Sequence, residues 1–339
     1  MRLKPFNTFS LNVYAHRVAT AHNEAQLFML WKQALQMNRP VLLLGSGSNV
    51  LFLENYTGIV LLNRIKGIVI QEDAEAWYVH VGAGELWHDL VTYTINRQIP
   101  GLENLALIPG YTGSAPIQNI GAYGVELQDF CKYVDIIQLD NGKKIRLSAL
   151  ECQFGYRDSI FKHNYRDNYA IVAVGLRFSK FWRPVLNYGE LRLLNPHHIT
   201  PRQIFDTVCT MRRNKLPNPK IGNAGSFFKN PLIDTKTATQ LLTCYPDIPY
   251  YPQTNGGVKI AAGWLIDRCK LKGYQFGNAA VYEKQALILI NVGHANGSEI
   301  ATLAKYVRDY VADKFAIWLE PEVRFIGAEG EVDAIGALS

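Results

Sequence analysis

The sequence predicts an α+β protein built from more than one part, and three observations carry that expectation. The chain has 339 residues, longer than one ordinary small core needs, so two or three subdomains are expected. Short apolar runs bounded by turn residues alternate with segments whose apolar residues recur at helical spacing. Hydrophobic residues at 48% and charged residues at 19% give the balance of a globular chain rather than a disordered one.

The elements follow in order. Asn23 is placed to cap a helix, with Gln26 able to reach back, and Leu27, Leu30, Trp31, Ala34 and Leu35 mark one apolar face. Val41–Leu44 reads as a buried strand and residues 59–62 as another, so the first unit is β-α-β. A second unit begins near Lys66. In it, residues 77–81 read as a strand, 85–97 as a helix, 133–147 as a hairpin turning at Asn141-Gly142, and 169–178 as the closing strand. Residues 183–198, with Pro184, Tyr188, Gly189 and Pro196, read as a loop or linker. Thr200-Pro201-Arg202-Gln203 then starts a helix: Thr at the cap, Pro at the first position, Gln three on. Beyond about Arg213 the pattern is mixed, with helices expected at 258–268 and 298–315 and a strand at 286–291.

Bulk properties narrow the function. Residues 1–17 scatter polar and charged side chains and lack the apolar core of a signal peptide, and no apolar run is long enough to span a bilayer. A soluble, cytoplasmic protein is expected. The five cysteines, Cys131, Cys152, Cys209, Cys244 and Cys269, form no C-x-x-C pair and no His/Cys cluster. Reduced thiols are expected, with neither a metal site nor a disulfide framework. The net charge of +6 comes without a long Lys/Arg block, and a small anionic ligand explains it as well as nucleic acid does.

Two segments are rich in small residues. Gly45-Ser46-Gly47-Ser48-Asn49-Val50 directly follows the Val41–Leu44 strand. The longer one runs Pro109-Gly110-Tyr111-Thr112-Gly113-Ser114-Ala115-Pro116-Ile117-Gln118-Asn119-Ile120-Gly121-Ala122-Tyr123-Gly124. Glycines let backbone N–H groups converge on a phosphate, and Ser and Asn add side-chain donors. Taken alone, the first reads equally as an ordinary tight loop. Neither contains G-x-x-x-x-G-K-S/T, nor the glycine fingerprint of a Rossmann site with its acidic partner. Two separate phosphate cradles suit a long diphosphate cofactor such as FAD.

Here the chain resembles a known group. The segment from Leu44 to Val50 is similar to the loop of flavoproteins whose FAD domain is of the vanillyl-alcohol oxidase/p-cresol methylhydroxylase type. The Ile108 to Tyr123 stretch is similar to the signature of one branch, the enolpyruvoylglucosamine reductase family. Three later segments resemble the same family in the same order: Tyr156-Arg157-Asp158-Ser159-Ile160-Phe161-Lys162, Ala224-Gly225-Ser226-Phe227-Phe228-Lys229-Asn230-Pro231 and Leu319-Glu320-Pro321-Glu322-Val323-Arg324-Phe325. The resemblance spans nearly the whole chain and lacks none of the key residues.

The resemblance implies a two-part FAD-binding domain, residues 1–65 and 66–182, a loop and connecting helix at 183–212, a C-terminal α+β substrate-binding domain at 213–325, and a tail at 326–339. It implies non-covalent FAD held by Gly45, Ser46, Gly47, Ser48 and Asn49 and by Gly110, Ser114, Ala115, Pro116, Gln118, Asn119, Gly121, Ala122 and Tyr123. Neither loop holds the His or Cys that links flavin in covalent relatives. It implies ping-pong use of NADPH and an enolpyruvyl UDP-sugar in one cleft, by a monomer with no nucleic-acid or membrane partner. Arg157 would face the charge that develops on the substrate, Glu322 would polarise or protonate its carboxylate, and Ser226 would donate the proton. Tyr156, Tyr188, Lys215, Asn230 and Gln285 would bind substrate.

Each residue alone also has a plainer reading. Arg157 beside Asp158 suits an ion pair, Ser226 a turn, Glu322 a solvated strand charge, and Tyr188 simple packing. Arg212 and Arg213 suit the negative end of a helix dipole. Two other functions compete: a related flavin-dependent alcohol or sugar oxidase, and a non-enzymatic basic nucleotide- or nucleic-acid-binding protein with salt-dependent binding.

Overall fold

Asn23 caps the first long helix, Glu24–Gln36, its side chain accepting from the Gln26 amide. Gln26 reaches back one residue further than the cap, to the His22 amide at 2.9 Å. In this computed structural model, which describes residues 1–253 and 256–339, the buried stripe is narrower than the sequence suggests. Leu27, Trp31 and Ala34 are buried, whereas Leu30 is half-buried and Leu35 is exposed. The neighbouring strands cover little more than one row of the helix.

The chain divides into two compact units: Arg17–Ser46 with Gly58–Asn214, and Met1–His16 with Gly47–Thr57 and Lys215–Ser339. In the first, Val41–Leu44 runs parallel to Tyr56–Asn63, with Val41 opposite Ile59. A five-stranded antiparallel sheet follows, in the order Lys144–Ser148, Cys131–Gln138, Tyr169–Ser179, Ala76–Gly82, Ile68–Glu72. The expected hairpin is its first pair, and Gly142 supplies the left-handed turn residue, φ 77°. The edge strand Ile68–Glu72 escapes sequence reading because only half of it is covered.

Helix Trp87–Asn96 buries Trp87, Leu90, Val91 and Ile95 against Val79, Val81, Val134, Ile136, Val174 and Leu176 of that sheet. It starts two residues later than expected because Glu85 is engaged elsewhere, its carboxylate accepting from the Gly67 amide at 2.8 Å. Helix Pro201–Lys215 begins where the sequence places it. Thr200 Oγ1 accepts from the Gln203 amide at 3.2 Å, and Gln203 Oε1 accepts from the Thr200 amide at 2.9 Å. Its Ile204, Phe205, Val208 and Cys209 join the same core. Within the 183–198 loop, Gly189–Leu193 makes a short 3-10 turn that buries Leu191.

In the other unit the first residues pack with strands far along the chain. Phe9 lies edge-on to Phe227, the Phe9 carbonyl accepts from Asn291 Nδ2 at 2.9 Å, and a Cβ on Gly222 would sit 2.1 Å from that carbonyl. Val50–Phe52 runs parallel to Arg324–Ile326. A four-stranded sheet orders Gly222–Ser226, Ile288–Asn291, Ala279–Val281 and Gln275–Phe276. Helix Gly297–Phe315 matches expectation, its cap made by Asn296 and Glu299 together. The helix expected at 258–268 is a correction: Gly257–Ile260 is a strand and only Ala262–Arg268 is helical. Val258 and Ile260 are buried while Gly257 and Lys259 are half-exposed, a period of two that sets strand over helix once Leu232–Asp234 and Tyr250–Pro252 pair on either side.

Candidate functional site

The Val41–Leu44 strand delivers the first glycine-rich loop to the second. Any side chain at Gly45 would bring its Cβ within 2.6 Å of Ser114 Oγ. Arg64, absent from the sequence prediction, braces this junction: it donates to the Gly45 carbonyl at 3.2 Å and lies 4.2 Å over the Tyr111 ring. Ser46 Oγ is buried and has no hydrogen-bond partner among the described residues. An unpartnered buried hydroxyl is costly unless an incoming acceptor satisfies it. In the other unit, Gly47 has φ 64° and passes so close to Phe6 that a Cβ would lie 2.0 Å from the Phe6 carbonyl. Asn49 Nδ2 donates to the Glu322 carbonyl at 3.1 Å. Ser48 beside it is half-buried.

The second loop is fastened along its length. The Thr112 amide donates to the Glu85 carbonyl at 2.8 Å and the Gly113 amide to the Ala83 carbonyl at 2.9 Å. Ala115 and Pro116 are buried, and Gly110 and Gln118 half-buried. Gly121–Ala122 pairs with Val125–Glu126 across Tyr123-Gly124, both at positive φ (51° and 83°), the backbone of a two-residue hairpin turn. Asn119 is fully buried and its side chain is consumed internally. Its Nδ2 donates to Glu126 at 2.9 Å and to the Gly155 carbonyl at 3.1 Å, and its Oδ1 accepts from the Gln128 amide at 3.0 Å. Any ligand contact of Asn119 therefore runs through its backbone.

That bond ties the second loop to the turn bearing Tyr156 and Arg157. Gly155 and Asp158 exchange backbone hydrogen bonds at 3.0 and 3.3 Å, leaving Tyr156 and Arg157 at the tip. Arg157 adopts φ 55°, a left-handed conformation that an L-residue adopts at a cost, and its Nη2 donates to the Gly121 carbonyl at 3.1 Å. Asp158 pairs with His163 at 2.9 Å.

Tyr188 meets this loop from the 183–198 segment, edge-on to Tyr123 with ring centroids 5.6 Å apart. Asn104 Nδ2 joins the two by donating to the Tyr123 and Val185 carbonyls, both at 2.9 Å. Arg212 also reaches Tyr123, and here the helix-dipole reading is corrected. Its guanidinium turns inward, burial pulls its pKa below the ordinary arginine value, and Nε has no hydrogen-bond partner among the described residues. The signal available in the sequence was its place one turn after Val208 and Cys209, on the buried face of the helix.

In the other unit Ser226 ends a bulged strand. Asn223 pairs with Ile290 and Ser226 with Ile288, so Ala224 and Gly225 together face Leu289. Gly225 carries the extra residue at φ 73°, and Asn223 Oδ1 holds its amide at 3.0 Å. Ser226 is exposed beyond this kink. The Phe227 carbonyl then accepts from the Glu322 amide at 2.8 Å, the Lys229 amide donates to the Glu320 carbonyl at 3.0 Å, and the Lys229 and Glu320 side chains pair at 2.6 Å. Ser226 and Glu322 thus lie on adjoining backbones. Asn230 Oδ1 accepts from the Ala262 amide at 3.0 Å, and a Cβ on Gly263 would lie 3.2 Å from Gln285 Oε1, so Asn230 and Gln285 gather at the start of helix Ala262–Arg268. Lys215 is exposed at the end of its helix, and no described contact ties it to the others.

Comparison with known proteins agrees over the whole length. Residues 217–326 match the profile of the UDP-N-acetylenolpyruvoylglucosamine reductase C-terminal domain, and residues 15–148 that of an FAD binding domain. The chain is 60% identical to a UDP-N-acetylenolpyruvoylglucosamine reductase of Escherichia coli O6:H1 and 59% identical to that of Salmonella choleraesuis, each over 99% of both chains. Its fold is that of the Thermus caldophilus reductase structure, with TM-score 0.64 at 22% identity over 96% of this chain and 97% of that one. The chain belongs to the UDP-N-acetylenolpyruvoylglucosamine reductase family.

Proposed function

We infer that the chain catalyses the NADPH-dependent, FAD-mediated reduction of UDP-N-acetylglucosamine enolpyruvate to UDP-N-acetylmuramate, a step in peptidoglycan synthesis. The residues fit the cofactor. Ser46 presents a buried hydroxyl in want of an acceptor, and Gly45 lets the first glycine-rich loop approach Ser114 of the second. The predicted contacts from Gly45 to Asn49 and from Gly110 to Tyr123 would hold it. Bound there, FAD would supply the redox chemistry, passing a hydride that originates from NADPH to the methylene carbon of the enolpyruvyl group.

The remaining work falls to side chains. Hydride addition leaves an enolate on the substrate, and Arg157 sets a permanent positive charge against it. Glu322 holds the substrate carboxylate in its polarised form. Ser226 gives its hydroxyl proton to the α-carbon and regains one from solvent, so one hydride and one proton are added in total. Tyr156, Tyr188, Lys215, Asn230 and Gln285 bind the UDP-sugar, and the desolvated Arg212 adds a cation beside Tyr123. The enzyme acts as a cytoplasmic monomer on small molecules. No helix among the described residues is long and apolar enough to cross a membrane. The FAD-binding part proposed at residues 1–65 and 66–182 and the substrate domain proposed at 213–325 describe ligand roles, whereas by packing residues 1–16 and 47–57 belong with the C-terminal unit.

One observation supports the reading: the Glu322 amide donates to the Phe227 carbonyl at 2.8 Å, so the backbone that bears Glu322 adjoins the one that bears Ser226. Purified protein should be yellow, bleach with NADPH without oxygen, and regain colour with the enolpyruvyl UDP-sugar. Acid precipitation should release all the flavin. Colour that returns with oxygen but not with the UDP-sugar would favour an oxidase instead.

A further inference from the structure

The turn that carries Arg157 has a support that the proposed chemistry does not use. Arg157 sits at φ 55°, in the left-handed region, where its Cβ crowds the following carbonyl. That carbonyl is not left to solvent: Lys162 Nζ donates to it at 2.7 Å, a charge-assisted bond to the main chain of the strained residue itself. Lys162 in turn stands on fixed ground. It ends the short 3-10 turn Ile160–Lys162, whose Ile160 and Phe161 are buried in the core. Ser159, 1% exposed, caps that turn by accepting from the Phe161 amide at 3.2 Å while donating to the Ile117 carbonyl of the glycine-rich loop at 2.7 Å. The peptide plane after Arg157 is therefore pinned by the core, and the guanidinium is pinned at Gly121.

We propose that Lys162 is a positioning residue for the half-reaction in which the enolpyruvyl UDP-sugar reoxidises the flavin: its ammonium holds Arg157 in the left-handed conformation that aims the guanidinium. The inference rests on the role of Arg157 given above. A lysine that only decorates the surface would hydrogen-bond to water. This one is half-buried and donates to the main-chain oxygen of the strained residue itself.

The test compares half-reactions in the intact FAD-loaded enzyme. Lys162→Met should keep flavin content and the rate of flavin reduction by NADPH. Reoxidation by the enolpyruvyl UDP-sugar should slow about 10–100-fold, the scale of a misplaced catalytic group. Lys162→Arg, which keeps a cationic donor, should recover most of that rate. In an Arg157→Ala background, where reoxidation is already slow, Lys162→Met should cost nothing further, because the two act as one unit. Native-rate reoxidation by Lys162→Met, or an undiminished loss in the Arg157→Ala background, overturns the proposal while leaving Arg157 in place. Native-rate reoxidation by Arg157→Ala alone overturns the role of Arg157 and the positioning role with it. If Lys162→Met does not fold, Lys162→Gln makes the same comparison.

Discussion

Asn49 clasps the segment that bears Glu322 from both of its ends: Nδ2 donates to the Glu322 carbonyl at 3.1 Å, and the Asn49 carbonyl accepts from the Arg324 amide at 3.1 Å. A residue expected to touch the cofactor also sets the backbone of the proposed catalytic carboxylate. Asn49→Ala should lower unfolding free energy by roughly 0.5–1.5 kcal/mol, the net worth of a hydrogen bond, and should slow reoxidation by the UDP-sugar. Urea denaturation and stopped-flow absorbance measure the two effects. A variant that loses flavin affinity with an unchanged denaturation midpoint would assign the side chain to the cofactor alone.

Ser226 separates the two half-reactions. Ser226→Ala should bind FAD and accept hydride from NADPH at close to the native rate, since no proton is needed from it there. Reoxidation by the enolpyruvyl UDP-sugar should fall by roughly 10²–10⁴-fold, the loss typical of a general acid. Ser226→Cys should keep part of the activity. Native-speed reoxidation by Ser226→Ala would return Ser226 to the structural turn that its neighbours also suit.

Gly225 tests whether the bulge aims that hydroxyl. A Cβ there would meet no described atom within 4 Å, so the strain of a substitution comes from φ 73° alone. Gly225→Ala should cost about 1–2 kcal/mol of stability, the penalty of a left-handed L-residue, and slow reoxidation as Ser226 shifts. A thermal melt with a stopped-flow trace decides it: lost stability with native reoxidation would mean that the bulge serves folding only.

Tyr188, 37% exposed and edge-on to Tyr123, is proposed to cover the substrate rather than to react with it. Tyr188→Phe should weaken UDP-sugar binding by about 0.5–1.5 kcal/mol with flavin reduction by NADPH unchanged. Titration of the oxidised enzyme with UDP-N-acetylmuramate reads this directly. An unaltered affinity would leave Tyr188 a packing residue.

Thiol chemistry checks the core. Burial pushes the Cys131 and Cys152 thiols up to about 12, and raises Cys209 and Cys269 as well, whereas Cys244 is exposed. A raised pKa keeps a thiol protonated, and only the thiolate attacks. At pH 8 a chromogenic disulfide should therefore titrate one thiol quickly in the native enzyme and all five after denaturation. Going to pH 9 should not add Cys131 or Cys152, whose pKa is pushed up to about 12. A second fast thiol in the native protein would contradict the packing around these cysteines.

Much of the candidate site was legible as residue types in order along the chain. The caps at Asn23 and Thr200, the hairpin at Asn141-Gly142 and the glycine-rich loops are local matters, decided within three or four residues by side-chain reach and backbone sterics. Errors fell where local signals conflict. The helical expectation for Ala262–Arg268 extends back over Val258 and Ile260, although these β-branched residues favour a strand, and the strands pairing on either side of them set period two over period 3.6.

The sequence by itself determined the α+β class and the helix caps at Asn23 and Thr200, and it offered the hydroxyl, guanidinium and carboxylate proposed for the chemistry. Only the tertiary structure decided that the Glu322 amide meets the Phe227 carbonyl, that Lys162 pins Arg157, that Asn119 spends its side chain inside the fold, and that Arg212 turns inward. The reason is distance along the chain. Asn49 and Glu322 are 273 residues apart, and no periodicity or cap speaks across such a gap. Their meeting follows from the burial of Phe9, Phe227 and Phe325 in one core, which draws the first residues of the chain against its last strands.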